Sequence, residues 1–446
     1  MSEAGDRAAT GHDGAVRLDA RALVGELDAR GIPALRSGLA ALIDDGVLAP
    51  GSPLPTVREI AAELGIGVGT VAAVWAELRR EGYLVTRRRG GSIVRGADAA
   101  GIRDLELRSA PADPALLPDL GAALAAVLAE HPVLPGVRSA EPLPALRRAA
   151  ERHRPFAAES VAVVPSVRAA LHLVVSALLP ARPVIATVDP LCARTAAALA
   201  AMPAQLLPVD VDSEGPVPES LAAALAAGAE LFAYQPAWSV PTGASLSAER
   251  AEALAVVVEA HPGARVFEEN PAGPLRPDSP GLGALLPGRV LHAANTRRAF
   301  GAEPAAALLY GSAADLAAIG AVQRREGTLV GALSQLLLAQ LLSDREVGAG
   351  LRRASAAYAV RHGALREGLN ANGVDVAGDG YFLWVPVGDA RRTARALAAD
   401  GIRIAIGSHS SLGSRGRGRV RIGTTLAPAA GDESAALAGA VALAAS

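Results

Sequence analysis

Apolar residues near the start of this chain recur at helical spacing. Leu35, Leu39, Leu42 and Ile43 fall three to four positions apart, the repeat of one face of a helix. Val57, Ile60 and Leu64 continue at the same spacing, and Thr56 stands where it can cap the helix they predict. Gly65-Ile66-Gly67 breaks that helix. Val71, Trp75 and Leu78 then mark a second helical face and leave Gly69, Thr70 and Arg79 off the stripe. Tyr83 to Thr86 and Ser92 to Val94 read as two short strands around Arg87, Arg88, Arg89, Gly90 and Gly91, a hairpin with a basic tip. Two helices joined by a glycine turn and followed by such a hairpin predict a winged helix-turn-helix, whose second helix enters the DNA major groove.

From Leu105 onward the pattern changes. Short β-rich runs alternate with helical lengths: Val161 to Val164, Pro183 to Val188, Leu206 to Val209, Leu231 to Tyr234, Arg265 to Phe267 and Val290 to His292. Strands separated by helices predict a parallel α/β sheet. The apolar stretch from Leu329 to Leu342 predicts a buried or dimer-interface helix. A long helix over Arg353 to Asn370, then strands at Tyr381 to Val385, Ile402 to Ile404 and Val420 to Ile422, predict a smaller α+β subdomain over about residues 350–446. The expected organisation is therefore a mobile tail (1–17), a DNA-binding domain (18–96), a linker (97–104) and a large C-terminal domain (105–446). A length of 446 residues fits that multidomain α/β plan better than one core.

Composition narrows the chemistry. The formal net charge is −2, yet residues 51–96 carry seven arginines against four glutamates, a local balance of +3. A basic patch on a neutral protein suits the phosphates of a DNA duplex; the competing reading is a solvated charge run beside a structural helical hairpin. One cysteine, Cys192, excludes internal disulfides and suits a reducing, cytoplasmic setting. No apolar run approaches the roughly 20 residues of a membrane span. All 43 basic residues are arginine, and the chain contains no lysine. Walker-type phosphate loops and Schiff-base enzymes need that amine. The eight histidines show no metal-ligand spacing, so no metal is expected.

The stretch from Leu35 to Val94 resembles the winged helix-turn-helix of GntR-type bacterial regulators. The matching residues are Gly46 to Gly51, Leu54 to Ala61, Leu64-Gly65, Thr70-Val71, Leu78, Glu81 to Leu84 and the Gly90-Gly91 tip. The resemblance implies DNA contacts from Thr56 and Arg58, from Gly67, Gly69, Thr70 and Arg79, and from the wing residues Arg87, Arg88, Arg89, Gly90 and Gly91. Gly67-Val68 stands where Ser-Arg is usual, and valine cannot make the bidentate contact of arginine to guanine.

Leu105 to Ala445 resembles the fold-type I aminotransferases, and the fusion resembles the MocR-type regulators. The carrying motifs are Pro114 to Pro118, Gly136 with Leu143 to Arg147, Pro241-Thr242-Gly243 after Tyr234-Gln235-Pro236, and Gly401-Ile402 leading to Gly407-Ser408. The resemblance implies a homodimer and a pyridoxal phosphate pocket. It places Arg298 at the aldimine lysine, Glu269 at the pyridinium partner, Pro271 where a tyrosine is usual and Cys192 at the ring-stacking aromatic. The phosphate loop reads Val164 to Leu171, without its glycine. Arg421 matches the arginine that grips a substrate carboxylate, with an ordinary strand arginine as the alternative. Arg298 is either an anion clamp or a remnant, and Glu269 either a local hydrogen-bonding group or part of an effector site. A guanidinium cannot form an imine, so no covalent cofactor is expected, and pyridoxal phosphate held noncovalently stays open. The sequence is thus identified as a DNA-binding regulator with a catalytically inactive aminotransferase-like domain, its partners an operator duplex and a small anionic or amino-acid-like effector. The rivals are a working transaminase and a DNA-binding dimer without a ligand.

Overall fold

A capped helix, a left-handed glycine and a second helix form the middle of the N-terminal region, as their sequence spacing predicts. In this computed structural model the described residues are 20–25, 32–44, 48, 52–80, 83–87, 91–94, 105–136, 141–277, 281–304 and 306–445. The expected tail and linker, residues 1–17 and 97–104, lie outside them. The chain divides into two compact units, Met1–Leu105 with Arg391–Arg403, and Glu106–Ala390 with Ile404–Ser446.

The first unit contains α1 (Ala20–Gly25), α2 (Ile32–Asp44), α3 (Val57–Leu64) and α4 (Val68–Arg80), followed by β1 (Leu84–Arg87) and β2 (Gly91–Val94). Leu35, Leu39, Ile60, Val71, Val74, Trp75, Leu78 and Tyr83 are buried in one core. Three helical faces and the root of the hairpin meet there, so the predicted stripes are the surfaces that pack. β1 and β2 pair antiparallel, with Arg87 opposite Gly91 and Leu84 opposite Val94. Within this unit the Tyr83 hydroxyl accepts a hydrogen bond from Arg395 at 2.7 Å, and the guanidinium lies 4.8 Å from the ring centre.

The second unit is built on a seven-stranded sheet. Its strands are β3 (Ser160–Val164), β4 (Val184–Val188), β5 (Gln205–Val209), β6 (Leu231–Tyr234), β7 (Arg265–Asn270), β8 (Val290–Asn295) and β9 (Ala307–Gly311). Their order across the sheet is β3-β9-β8-β7-β6-β4-β5. Helices include α5 (Val167–Leu178), α6 (Ala193–Ala200), α7 (Ala248–Glu259), α8 (Arg297–Phe300), α9 (Ala332–Ser343) and α10 (Arg345–Ala371). Every residue of β6 and β9 is buried, as expected for strands covered on both faces.

Two expectations change. The sheet is mixed, because β9 runs antiparallel to both β8 and β3. Only residues 296–306 separate β8 from β9, and a parallel return needs a crossover of about a dozen residues or more. The long helix also starts earlier than its apolar pattern suggests, at Arg345, because the Asp344 side chain accepts from the Glu346 and Val347 amides and caps it. The stretch around Leu336 to Leu342 is a buried helix, as predicted. In the C-terminal part, β10 (Phe382–Pro386), β11 (Ala405–Ile406) and β12 (Arg419–Gly423) form a three-stranded antiparallel sheet with β12 in the middle.

Candidate nucleic-acid interface and buried arginine cluster

In the first unit, Thr56 starts α3 with a reciprocal cap. Its hydroxyl accepts from the Glu59 amide at 3.2 Å, and Glu59 Oε2 accepts from the Thr56 amide at 2.6 Å. Arg58 follows on the first turn and is exposed. Gly65 ends the helix at φ 66°, a left-handed conformation that favours glycine. Gly67 and Gly69 are exposed and Thr70 is half-buried, its amide donating to Gly67 O at 3.0 Å.

Because Val71, Val74, Trp75 and Leu78 commit one face of α4 to the core, its opposite face is open. That face carries Val68, Gly69, Ala72, Ala73, Ala76 and Arg79, with Val68 49% exposed. Sequence reasoning treated Val68 only as the loss of an arginine. In place it is an apolar knob among alanines, a surface that can meet thymine methyl groups in a major groove. Arg87 lies in β1, and Gly91 opens β2 at φ 74°. Arg88, Arg89 and Gly90 lie outside the described residues.

In the second unit, α8 follows β8 and carries Arg298. Its guanidinium lies 4.2 Å from the centre of the Tyr381 ring and 5.7 Å from that of Phe382, and donates to Ala110 O at 3.2 Å. Arg421 of β12 approaches the same Phe382 ring at 5.0 Å, donating to Arg108 O at 3.0 Å and Ser410 Oγ at 3.3 Å. Burial lowers the pKa of both guanidiniums, and the charge of Arg298 lowers that of Arg421 further. Among the described residues, the Nε atoms of Arg298 and Arg421 and the Tyr381 hydroxyl are buried without a hydrogen-bond partner.

Glu269 points into a cavity lined by Cys192, Thr195, Tyr234, Gln235 and Val240. Burial raises its carboxyl above the usual range; hydrogen bonds from Gln235 and Thr195 and the charges of Arg298 and Arg168 oppose that rise. The Thr195 hydroxyl donates to it at 3.1 Å. The structure therefore brings Arg298 and Arg421 to one aromatic ring and sets Glu269 within electrostatic reach of Arg298. Tyr381, Phe382, Thr195 and Gln235 were missed as site residues. Tyr381-Phe382 was visible only as the apolar start of a strand.

The site's relatives agree with both halves. Residues 35–94 match the model for bacterial regulatory proteins of the gntR family. The chain is similar to the vitamin B6 salvage pathway transcriptional repressor PtsJ of Salmonella typhimurium, 29% identical over 378 residues that cover 80% of this chain and 85% of that protein. It is also similar to the HTH-type transcriptional regulator TauR of Rhodobacter capsulatus, 28% identical over 432 residues, 83% of this chain and 88% of that one. An archaeal alanine:glyoxylate aminotransferase superposes with a TM-score of 0.69 at 19% identity, over 77% of this chain and 91% of its own, a likeness of fold.

That fold implies pyridoxal phosphate, and the donor set here does not fit a covalently held one. There is no lysine to form the imine.

Proposed function

We propose that this chain is a transcriptional regulator that joins a GntR-type DNA-binding region to an aminotransferase-like domain, as MocR-type regulators do, and that its large domain is catalytically inactive and serves dimerisation and ligand sensing. The protein acts in the cytoplasm as a homodimer on a paired operator. Residues 18–96 form the DNA-binding domain, 97–104 the linker and 105–446 the effector domain. Arg58 and the wing arginines Arg87, Arg88 and Arg89 hold phosphates. Thr56, Gly67, Gly69, Thr70, Arg79, Gly90 and Gly91 shape or line the groove-facing surface.

The sensing reading is carried by one observation, the three buried donors without partners at Arg298, Arg421 and Tyr381. Two buried arginines over the Phe382 ring, one of them also over Tyr381, with donors that lack acceptors, suit a small anion or the carboxylate of an amino acid. Glu269 offers an acceptor for the amino end of the same ligand. A ligand that prefers one arrangement of the dimer changes the half-site spacing that the two winged helices can span. The name of PtsJ favours a second identity for the anion, a vitamin B6 phosphate held without a covalent bond.

The test is sequencing of genomic fragments retained by the purified full chain, with and without added amino acids, inorganic phosphate or pyridoxal phosphate. Recurrent paired half-sites whose occupancy responds to one compound support the reading. Retention without a shared sequence refutes operator recognition, and occupancy indifferent to every compound refutes sensing.

A further inference from the structure

Helix α4 presents two unlike faces. Val71, Val74, Trp75 and Leu78 are buried in the core of the first unit. Val68, Ala72, Ala76 and Arg79 follow one another at four, four and three residues, the spacing of a single row along a helix, and all four are exposed. Gly69 and Ala73 flank that row and are exposed as well, whereas Thr70 and Glu77 lie off it and are half-buried. A Cβ built on Gly69 would meet no heavy atom of the described residues within 4 Å, so the surface beside Val68 is open to an incoming duplex.

The chemistry of this row is narrow. Valine and alanine side chains carry neither a hydrogen-bond donor nor an acceptor. Arg79 brings a guanidinium, but at a rise of about 1.5 Å per residue it stands roughly 16 Å along the helix from Val68. In a helix-turn-helix the N-terminal residues of the second helix meet the base edges. There a guanine shows the acceptors N7 and O6, which need a donor, while a thymine shows its C5-methyl, which an apolar side chain covers. Val68 opens α4 and is the largest apolar side chain in the row, with 49% of its surface free.

We propose that Val68, with Ala72 one turn behind it, is the specificity-determining contact of the operator: it selects a thymine by the C5-methyl group, and no side chain in the row from Val68 to Ala76 donates to a guanine. The inference rests on the reading of α4 as the helix that enters the major groove. It adds to that reading the chemical feature of the base that is chosen.

Uracil is the probe, because it lacks the methyl of thymine and keeps every base-pairing group. The full chain first enriches a pool of random duplexes, and the enriched pool is copied with deoxyuridine in place of thymidine. Burying one methyl group is worth roughly fourfold in affinity, so two half-sites give on the order of tenfold. The uracil copy is expected to bind more weakly by that factor, while unselected duplexes of the two kinds bind alike. Val68→Ala is expected to remove most of the difference. Val68→Arg is expected to enrich guanine at the same position and to bind its own pool equally with either base. Both variants change an exposed residue. A wild-type pool that enriches and binds equally well with uracil overturns the thymine contact and leaves operator recognition standing. A Val68→Ala chain that keeps the wild-type ratio overturns the assignment to Val68. A pool that never enriches overturns operator recognition itself, and the inference falls with it.

Discussion

Glu268 and Glu269 are neighbours in sequence and opposites in environment. Glu269 shares a cavity wall with Cys192 and is hydrogen-bonded by Thr195. Burial raises its pKa, so folding favours its protonated form. The resulting stability is complete below the unfolded value near 4.5 and is lost as pH rises through the folded value. Replacing Glu269 with Gln is therefore predicted to flatten the fall in melting temperature between acid and neutral pH, read by calorimetry across that range. A variant that keeps the wild-type slope assigns the pH dependence to another group. Glu268 has the reverse role, as acceptor for Tyr234, Leu282 and His292. Glu268→Ala leaves these partners buried without an acceptor and is predicted to destabilise by about 3–5 kcal/mol in denaturant titrations, with Glu268→Gln milder. Glu269, Arg298 and Arg421 could be named from sequence because motifs fix their places along the chain. The Tyr234, Glu268 and His292 row could not, because it exists only through the register of three strands far apart in sequence.

Among the elements, the winged helix was the most legible, since its caps, turn and periodicities are local. Thr56→Ala removes one half of the reciprocal cap on α3 and is predicted to cost about 1 kcal/mol of stability in urea titrations. Arg58 sits on the first turn of the helix that, in such motifs, crosses the phosphate backbone. Arg58→Ala is thus expected to reduce the salt slope of DNA binding by about one while leaving the choice of sequence largely intact, as followed by fluorescence anisotropy at several salt concentrations. A loss of sequence choice with an unchanged slope assigns Arg58 to a base instead. Replacing Arg87, Arg88 and Arg89 together with Ala should weaken binding to every duplex. The strand β9 was the least legible element. Its run from Ala307 to Gly311 has neither alternation nor polar punctuation, and alanine-rich flanks blur helical and strand periods alike. Its antiparallel direction follows from the short connection after β8, a constraint visible only once both strands are placed.

For the whole molecule, the fold class and the fusion of two units were readable from length and from the change in periodicity near Leu105. The assignment of Arg391–Arg403 to the first compact unit was not, because the segment lies almost 300 residues beyond the rest of that unit. The central claim is chemical. With no lysine the chain has no side-chain amine to form an imine with pyridoxal, and Arg298 stacks on Tyr381; the reading proposed from this is that the aminotransferase-like domain holds ligands and transfers no amino groups. The most direct test incubates the pure full chain with pyridoxal phosphate, an amino acid and a keto acid. Transfer is followed over time, and the protein is then reduced with borohydride and weighed peptide by peptide. The account predicts no transfer and no pyridoxyl group on any internal peptide; catalytic transfer, or an internal adduct, would contradict it.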